Sequence, residues 1–237
     1  MSFLILVRHG QSVWNLEKRF TGWVDVDLTD KGESEAEKAG LLIKNKNIKI
    51  NFYYSSLQLR ANNTLKIIQK VLNDKKDFIK AWQLNERHYG ALTGLNKIEM
   101  SKKIGEDKVH EFRRSWDIKP EALDKESPYH PINIETYKDL SKEIIPNTES
   151  LKDTYERVTK YFEEEIKEKL ENKNVLISAH GNSIRALCKK LFNLDNKQVS
   201  ILEIPTGNPL IIELNTNLEI TKCEYLDKER AKNLVIF

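Results

Sequence analysis

The chain has 237 residues, 39% hydrophobic and 32% charged, with 39 lysines and arginines against 36 acidic residues for a formal charge of +3. This length suits one domain with a full core, and the nearly cancelling charges leave no clustered basic stripe of the kind nucleic-acid binding needs. Cys188 and Cys223 are too few for a disulfide framework, and no apolar run approaches a membrane span, so a reducing cytoplasm fits the composition.

The first apolar run, Phe3-Leu4-Ile5-Leu6-Val7, is too short for a secretion signal and reads as a buried strand ending at Arg8-His9-Gly10. Leu28 to Asn45 reads as a helix, with Asp30 and Glu33 as a capping box and Ala36, Ala39 and Ile43 on one face. Phe52-Tyr53-Tyr54 is a short strand, followed by a helix from Ser56 to Leu72. Ile79 to Leu84 reads as another strand, and Gly94 to Trp116 as helical with a break at Gly105. Residues 117–147 carry Pro120, Pro128, Pro131 and Pro146 and little periodicity; a loop of that length in a compact domain suggests a lid or flap. An amphipathic helix from about Glu149 to Asn172 leads into a second apolar run, Val175 to Ala179, then a helix from Ser183 to Leu191 and strands near Ser200–Ile204 and Leu210–Leu214. The alternation predicts an α/β fold, one three-layer domain over residues 1–237 with a mostly parallel central sheet flanked by helices.

In such sheets ligands bind beyond the carboxyl ends of strands. The two apolar runs therefore deliver Arg8-His9-Gly10 and His180-Gly181-Asn182 to one sheet edge. A neutral imidazole can take a phosphoryl group, and stabilising that group's charge falls to fixed cations and donors. Arg8, Arg60 and the pair Arg113-Arg114 supply cations whose planar forks suit phosphate oxygens. Gly10 and Gly181 allow close backbone approach, and a helix starting near Asn182 would aim N–H groups at the anion. Each triplet alone is weak, since His-Gly-Asn also reads as a turn. Two histidines could instead be metal ligands, but no third ligand stands at the right spacing.

Longer motifs sharpen the reading. Leu6 to Asn15, Phe20 to Thr29, Leu84 to Lys97, Phe112 to Trp116, Thr148 to Thr154, His180 to Arg185 and Ile204 to Gly207 stand in one order over residues 3–214. In these the chain resembles the histidine phosphatase superfamily and, within it, the 2,3-bisphosphoglycerate-dependent phosphoglycerate mutases. The resemblance implies a phosphoglycerate mutase-like fold and interconversion of 3-phosphoglycerate and 2-phosphoglycerate through a phosphohistidine and bound 2,3-bisphosphoglycerate, without metal. His9 would carry the phosphoryl group, Glu86 would be the general acid and base, and His180, Arg8, Arg60 and Asn182 would stabilise the transition state. Asn15, Thr21 and Gly22 would line the pocket, and Tyr89, Lys97, Arg113 and Arg114 would hold the carboxylate and the second phosphate. Ser12, Arg87 and Gly181 would support them. The partner implied is a small-molecule phosphoglycerate, with no nucleic acid and no membrane. The family includes monomers, dimers and tetramers, and a homodimer is taken as the working expectation.

Several positions depart from the family pattern: Val13 where an acidic residue is common, Asn208 where an apolar one is usual, a thinner proline-rich loop over 117–122, and a short tail over 225–237. In the family the tail can cover the site and exclude water, so the balance of transfer against hydrolysis rests on it. A phosphatase or bisphosphoglycerate synthase on the same scaffold is the rival reading, and a catalytically silent relative a more distant one.

Overall fold

The computed structural model describes residues 1–231. β1 (Ser2–Arg8) leads through the short α1 (Val13–Leu16) to α2 (Asp30–Asn45); β2 (Phe52–Ser55), α3 (Leu59–Leu72) and the two-residue β3 (Ile79–Lys80) follow. Next come α4 (Lys97–Ile104) and α5 (Glu106–Arg114), then, beyond the irregular middle, α6 (Leu151–Tyr161), β4 (Val175–Ala179) and α7 (Gly181–Leu191). α8 (Asn196–Ile201), β5 (Leu210–Leu214) and β6 (Ile220–Tyr225) complete the fold.

The strands form one sheet in the order β3-β2-β4-β1-β5-β6. β1, β4, β2 and β3 pair in parallel, while β5 runs antiparallel to both β1 and β6. Because side chains alternate along a strand, Leu4 and Leu6 face one layer while Ile5 and Val7 face the other. The first layer packs β1, β4 and β5 against α6, α7 and α8 through Leu151, Val158, Ile184, Leu187 and Val199. The second packs Ile5, Val7, Tyr53 and Leu176 against Ala39 and Ile43 of α2 and Leu65 and Ile68 of α3. β4 is buried along its whole length, with the one polar side chain, Ser178, donating to the Ala61 carbonyl at 2.9 Å. Among the described residues no helix is long and apolar enough to cross a membrane.

The three-layer, mostly parallel architecture is the expected one, with local corrections. α2 is capped by Thr29, whose hydroxyl accepts from the Gly32 N–H, so Asp30 is already helical and forms no capping box with Glu33. Ile79 to Leu84 is a strand only at Ile79–Lys80, and Trp82–Leu84 is a 3-10 turn. α6 is regular only to Tyr161, after which a π turn (Phe162–Ile166) and a 3-10 turn (Lys167–Leu170) carry its apolar face onward. Of the expected strand near Ser200–Ile204, Ser200 and Ile201 end α8, which starts at an Asp195/Gln198 capping box, and Leu202 to Ile204 belong to no strand. β6 was not expected, because only its last residue, Tyr225, is fully buried.

Residues 117–147 are irregular but tied down. Glu121 accepts from the Ala91 N–H (2.8 Å), Leu123 N–H donates to Asn147 (3.0 Å), and Tyr137 and Ile145 are buried against Trp23. Asn208, one of the departures, donates to the Asp227 carbonyl and accepts from the Asp227 N–H, each at 3.0 Å, and so anchors the start of the tail. Residues 232–237 of that tail lie outside the described residues.

One close backbone contact holds the loop after β1. A Cβ at Gly32 would lie 2.1 Å from the Gln11 carbonyl oxygen, and one at Gly10 would lie 2.0 Å from that of Gly32. Alanine in a helix is ordinarily better than glycine by about 1 kcal/mol. Gly32→Ala is nonetheless expected to destabilise by about 1–3 kcal/mol in urea unfolding, because the backbones must part. A stabilised variant would refute this packing.

Candidate active site

His9 is 2% exposed and stands just beyond β1, its N–H donating to the Ala179 carbonyl at 3.0 Å. Its Nδ1 lies 2.7 Å from the Gly10 carbonyl oxygen. A carbonyl only accepts, so Nδ1 carries the proton and Nε2 keeps its lone pair. Burial, then the neighbouring Arg60 and Arg8, hold the ring well below the usual imidazole pKa, which keeps it neutral and nucleophilic.

The His180 ring lies 5.0 Å from that of His9, tilted by 59°. Its Nε2 is 2.8 Å from Ser56 Oγ, which also accepts from the Gln58 N–H at 3.1 Å. Ser56 is fully buried, and donation to Nε2 is what satisfies its O–H among the described residues. His180 Nδ1 is then a buried donor with no partner among those residues. Burial and the nearby Arg60 and His9 also keep His180 well below the usual pKa. The cationic form of His180 is thus disfavoured in the free enzyme, and a neutral donor remains.

Glu86 is 9% exposed, and its Oε1 accepts from the N–H groups of Arg87 (2.7 Å) and Asn182 (3.2 Å). The first turn of α7 therefore spends the Asn182 amide on the Glu86 carboxylate, where the sequence suggested an anion from outside. Asn182 Nδ2 donates to the Tyr89 hydroxyl (3.0 Å), and Arg185 Nη1 fixes the amide's orientation by donating to Oδ1 (2.6 Å). Burial alone would raise the Tyr89 pKa, but Arg87, with Arg113 and Lys97, outweighs it and lowers the pKa.

A cavity of about 90 Å³ is lined by Arg8, His9, Asn15, Thr21, Gly22, Arg60, Glu86, Tyr89, Lys97 and Arg113. A wider one of about 590 Å³ shares Arg8, Asn15, Lys97 and Arg113 with it and adds Lys18, Lys31 and Arg230. Arg60 donates to the carbonyls of Val24 and Gly22, both at 2.9 Å, so it shapes the Thr21-Gly22 loop while adding its charge to the pocket. Arg8 donates to the Ile204 carbonyl (2.8 Å) and keeps a buried Nε unpartnered among the described residues. Lys97 donates to the Arg19 carbonyl, and its pKa is pushed down to about 8, chiefly by burial. Gly181 sits beside the pocket, where an added Cβ would lie 3.5 Å from Arg8 Nε and 3.8 Å from Glu86 Oε2.

Three expected residues stand elsewhere. Ser12 is fully buried as the cap of α1, bonded reciprocally to Asn15. Arg87 is fully buried, donating to the Phe112 carbonyl and stacked 4.7 Å from the Tyr89 ring. Arg114 does not line either cavity; it pairs with Glu203. Successive residues on a helix point about 100° apart, so Arg113 and Arg114 of α5 do not share one face.

Sequence reasoning missed the supports. Gln58 donates to the Gly22 carbonyl (2.9 Å) and accepts from the Glu86 N–H (3.0 Å), while Thr64 Oγ1 accepts from the Gly10 N–H (3.1 Å). Ser56 could have been found, since it follows β2 at the same sheet edge as His9 and His180. Among the described residues no three His, Cys, Asp or Glu side chains gather as a metal-holding group.

The model of the histidine phosphatase superfamily (branch 1) matches residues 4–133 and 130–222. A Pelagibacter ubique (strain HTCC1062) protein named 2,3-bisphosphoglycerate-dependent phosphoglycerate mutase is 67% identical over 238 residues, covering 100% of each chain. A protein of the same name from Borreliella burgdorferi (strain ZS7) is 51% identical over 228 residues, 95% of this chain and 92% of the relative. In fold the chain is similar to a putative alpha-ribazole-5'-P phosphatase from Escherichia coli, with a TM-score of 0.68 at 15% identity over 95% of each chain. It is equally similar to Bacillus stearothermophilus YhfR, with a TM-score of 0.68 at 22% identity over 93% and 94% of the two chains.

The buried histidines make a pH prediction. His88, which burial and then His130 and Arg157 push down to about 3, joins His9 and His180 in staying neutral when folded. The unfolded chain protonates near pH 6.5, so it binds more protons below that pH than the folded chain does. Stability is then fully present above about pH 6.5 and falls toward the folded pKa, by up to about 1.4 kcal/mol per pH unit for each histidine. Urea unfolding between about pH 7 and pH 5, above most carboxylate titrations, should show this loss. A flat profile there, or imidazole resonances titrating near the ordinary value of about 6.5, would contradict it.

Proposed function

The chain belongs to the histidine phosphatase superfamily, and from that premise we propose that it interconverts 3-phosphoglycerate and 2-phosphoglycerate through a phosphohistidine at His9. It acts as an isomerase by intramolecular phosphoryl transfer, in a cytoplasmic step of glycolysis and gluconeogenesis. The observation that carries this reading is one small cavity holding the free Nε2 of a neutral His9, the Glu86 carboxylate and the cations of Arg8, Arg60, Lys97 and Arg113. The two named relatives, at 67% and 51% identity, support the same reaction.

The residues fit a small anion bearing a carboxylate and two phosphates. Among the described residues Arg8 Nε and His180 Nδ1 are buried without partners, a costly arrangement that a bound phosphate relieves. When bound, 2,3-bisphosphoglycerate supplies the phosphoryl group that primes His9 and is the species held between the two transfers. His9 Nε2 forms its bond to phosphorus as the phosphorus–oxygen bond opposite breaks. Its ring becomes cationic, and the Gly10 carbonyl on Nδ1–H stabilises that charge. Glu86 gives its proton to the departing sugar-acid oxygen, and in the return transfer its carboxylate takes the proton of the attacking hydroxyl. Arg8, Arg60, Asn182 and His180 hold the equatorial oxygens, so the charge of the transition state meets donors already in place. Tyr89, Lys97 and Arg113 hold the groups that do not react.

The test is conversion of 3-phosphoglycerate by EDTA-stripped protein in a stopped assay, with enolase and its magnesium added afterwards. Activity stimulated by 2,3-bisphosphoglycerate and blocked by vanadate is expected. His9→Ala should lose turnover and phosphoenzyme together, while Glu86→Gln should still form the phosphoenzyme, but slowly, and turn over about 10²–10⁴-fold more slowly. Release of inorganic phosphate without isomerisation would place the chain with the phosphatases.

A further inference from the structure

We propose that the buried pair Arg157–Glu149, outside the pocket, sets the position of the Glu86 carboxylate and with it the proton transfer. This inference rests on the reaction proposed above. The segment that carries Glu86, Arg87 and Tyr89 lies between two 3-10 turns, Trp82–Leu84 and Gly90–Leu92, and belongs to no helix or strand. Its buried backbone groups must find partners elsewhere.

Arg157 of α6 supplies them. Its Nη1 donates to the carbonyls of Gln83 (2.5 Å) and Asn85 (3.0 Å), and its Nη2 to the carbonyl of Glu86 itself (3.1 Å). The remaining donors go to Glu149, Nε to Oε1 at 2.6 Å and Nη2 to Oε2 at 3.0 Å. Glu149 closes the clamp, because Oε2 accepts from the His88 N–H (2.8 Å) and its own N–H donates to the His88 carbonyl (3.0 Å). The two side chains are 8% and 5% exposed. An ion pair serving only stability needs no bonds beyond its partner, and burying one is a poor route to stability. Here the guanidinium instead reaches three carbonyls on and beside Glu86. Lysine, with a rotatable point charge, cannot reproduce that fork.

Arg157 and Glu149 are positioning residues, and leaving-group dependence separates that role from a general structural one. Phosphorylation of His9 by 2,3-bisphosphoglycerate breaks a bond to an alcohol oxygen, which needs the Glu86 proton as the Nε2–phosphorus bond forms. Phosphorylation by acetyl phosphate releases acetate, which needs none. The experiment follows both by intact-protein mass in wild type, Arg157→Lys and Glu149→Gln. The expected result is a loss of about 100-fold with the bisphosphate and of about threefold or less with acetyl phosphate. A double-mutant cycle reads the same coupling with the bisphosphate alone: Arg157→Lys should cost little more once Glu86→Gln is present. Equal losses with both donors, an unchanged rate with the bisphosphate, or additive losses in the cycle would overturn the clamp. Wild-type protein that takes no phosphate from the bisphosphate would instead overturn the mutase reading, and the clamp with it.

Discussion

The parallel pairing of β1 with β4 is the constraint on which the site depends. Its register runs from Leu4 opposite Val175 to Arg8 opposite Ala179, and the next hydrogen bond ties His9 to Ala179. Two residues 171 positions apart therefore leave the sheet side by side. A slip of one residue would move a histidine by about 3.3 Å and carry that strand's side chains into the opposite packed layer. The core enforces the register, because Leu4 and Leu6 are buried in one layer and Ile5 and Val7 in the other. Packing that has no chemistry of its own thus fixes the distance between the groups that do.

Within that frame the site gathers positive charge around neutral imidazoles. Burial, with Arg60 and Arg8 beside the ring, depresses the His9 pKa, so the ring keeps the lone pair that a protonated one would lack. Arg60 is itself held by two carbonyls, a stable way to bury a guanidinium without neutralising it. Among the described residues, Arg8 Nε, His180 Nδ1 and Nε and Nη1 of Arg87 are buried donors without a partner, each costing about 1–3 kcal/mol.

The sheet was legible because β1 and β4 are short apolar runs ending in polar residues. β6 was not, because most of its residues stay partly exposed and its pattern, Ile220-Thr221-Lys222-Cys223, resembles a surface turn. Ser200–Ile204 misled through β-rich composition, although a capping box at Asp195 and Gln198 marks a helix. The site divides in the same way. Residues at strand ends, such as His9 and His180, declared themselves by type and place. Gln58 and Arg157 act through other residues, and a polar side chain on a helix reads as solvated surface until the fold shows what it touches. Arg113 and Arg114 read as a unit in sequence, but helical geometry sends them to different neighbours.

In the proposed reaction the Gly10 carbonyl holds the proton of His9 on Nδ1 and so makes Nε2 the nucleophile. The direct measurement is nitrogen-15 and phosphorus-31 NMR of protein labelled in its histidines and phosphorylated with 2,3-bisphosphoglycerate. A single phosphohistidine at His9, with phosphorus coupled to Nε2, is the predicted result. Phosphorus on Nδ1 of His9, on His180 or on a serine would contradict the account.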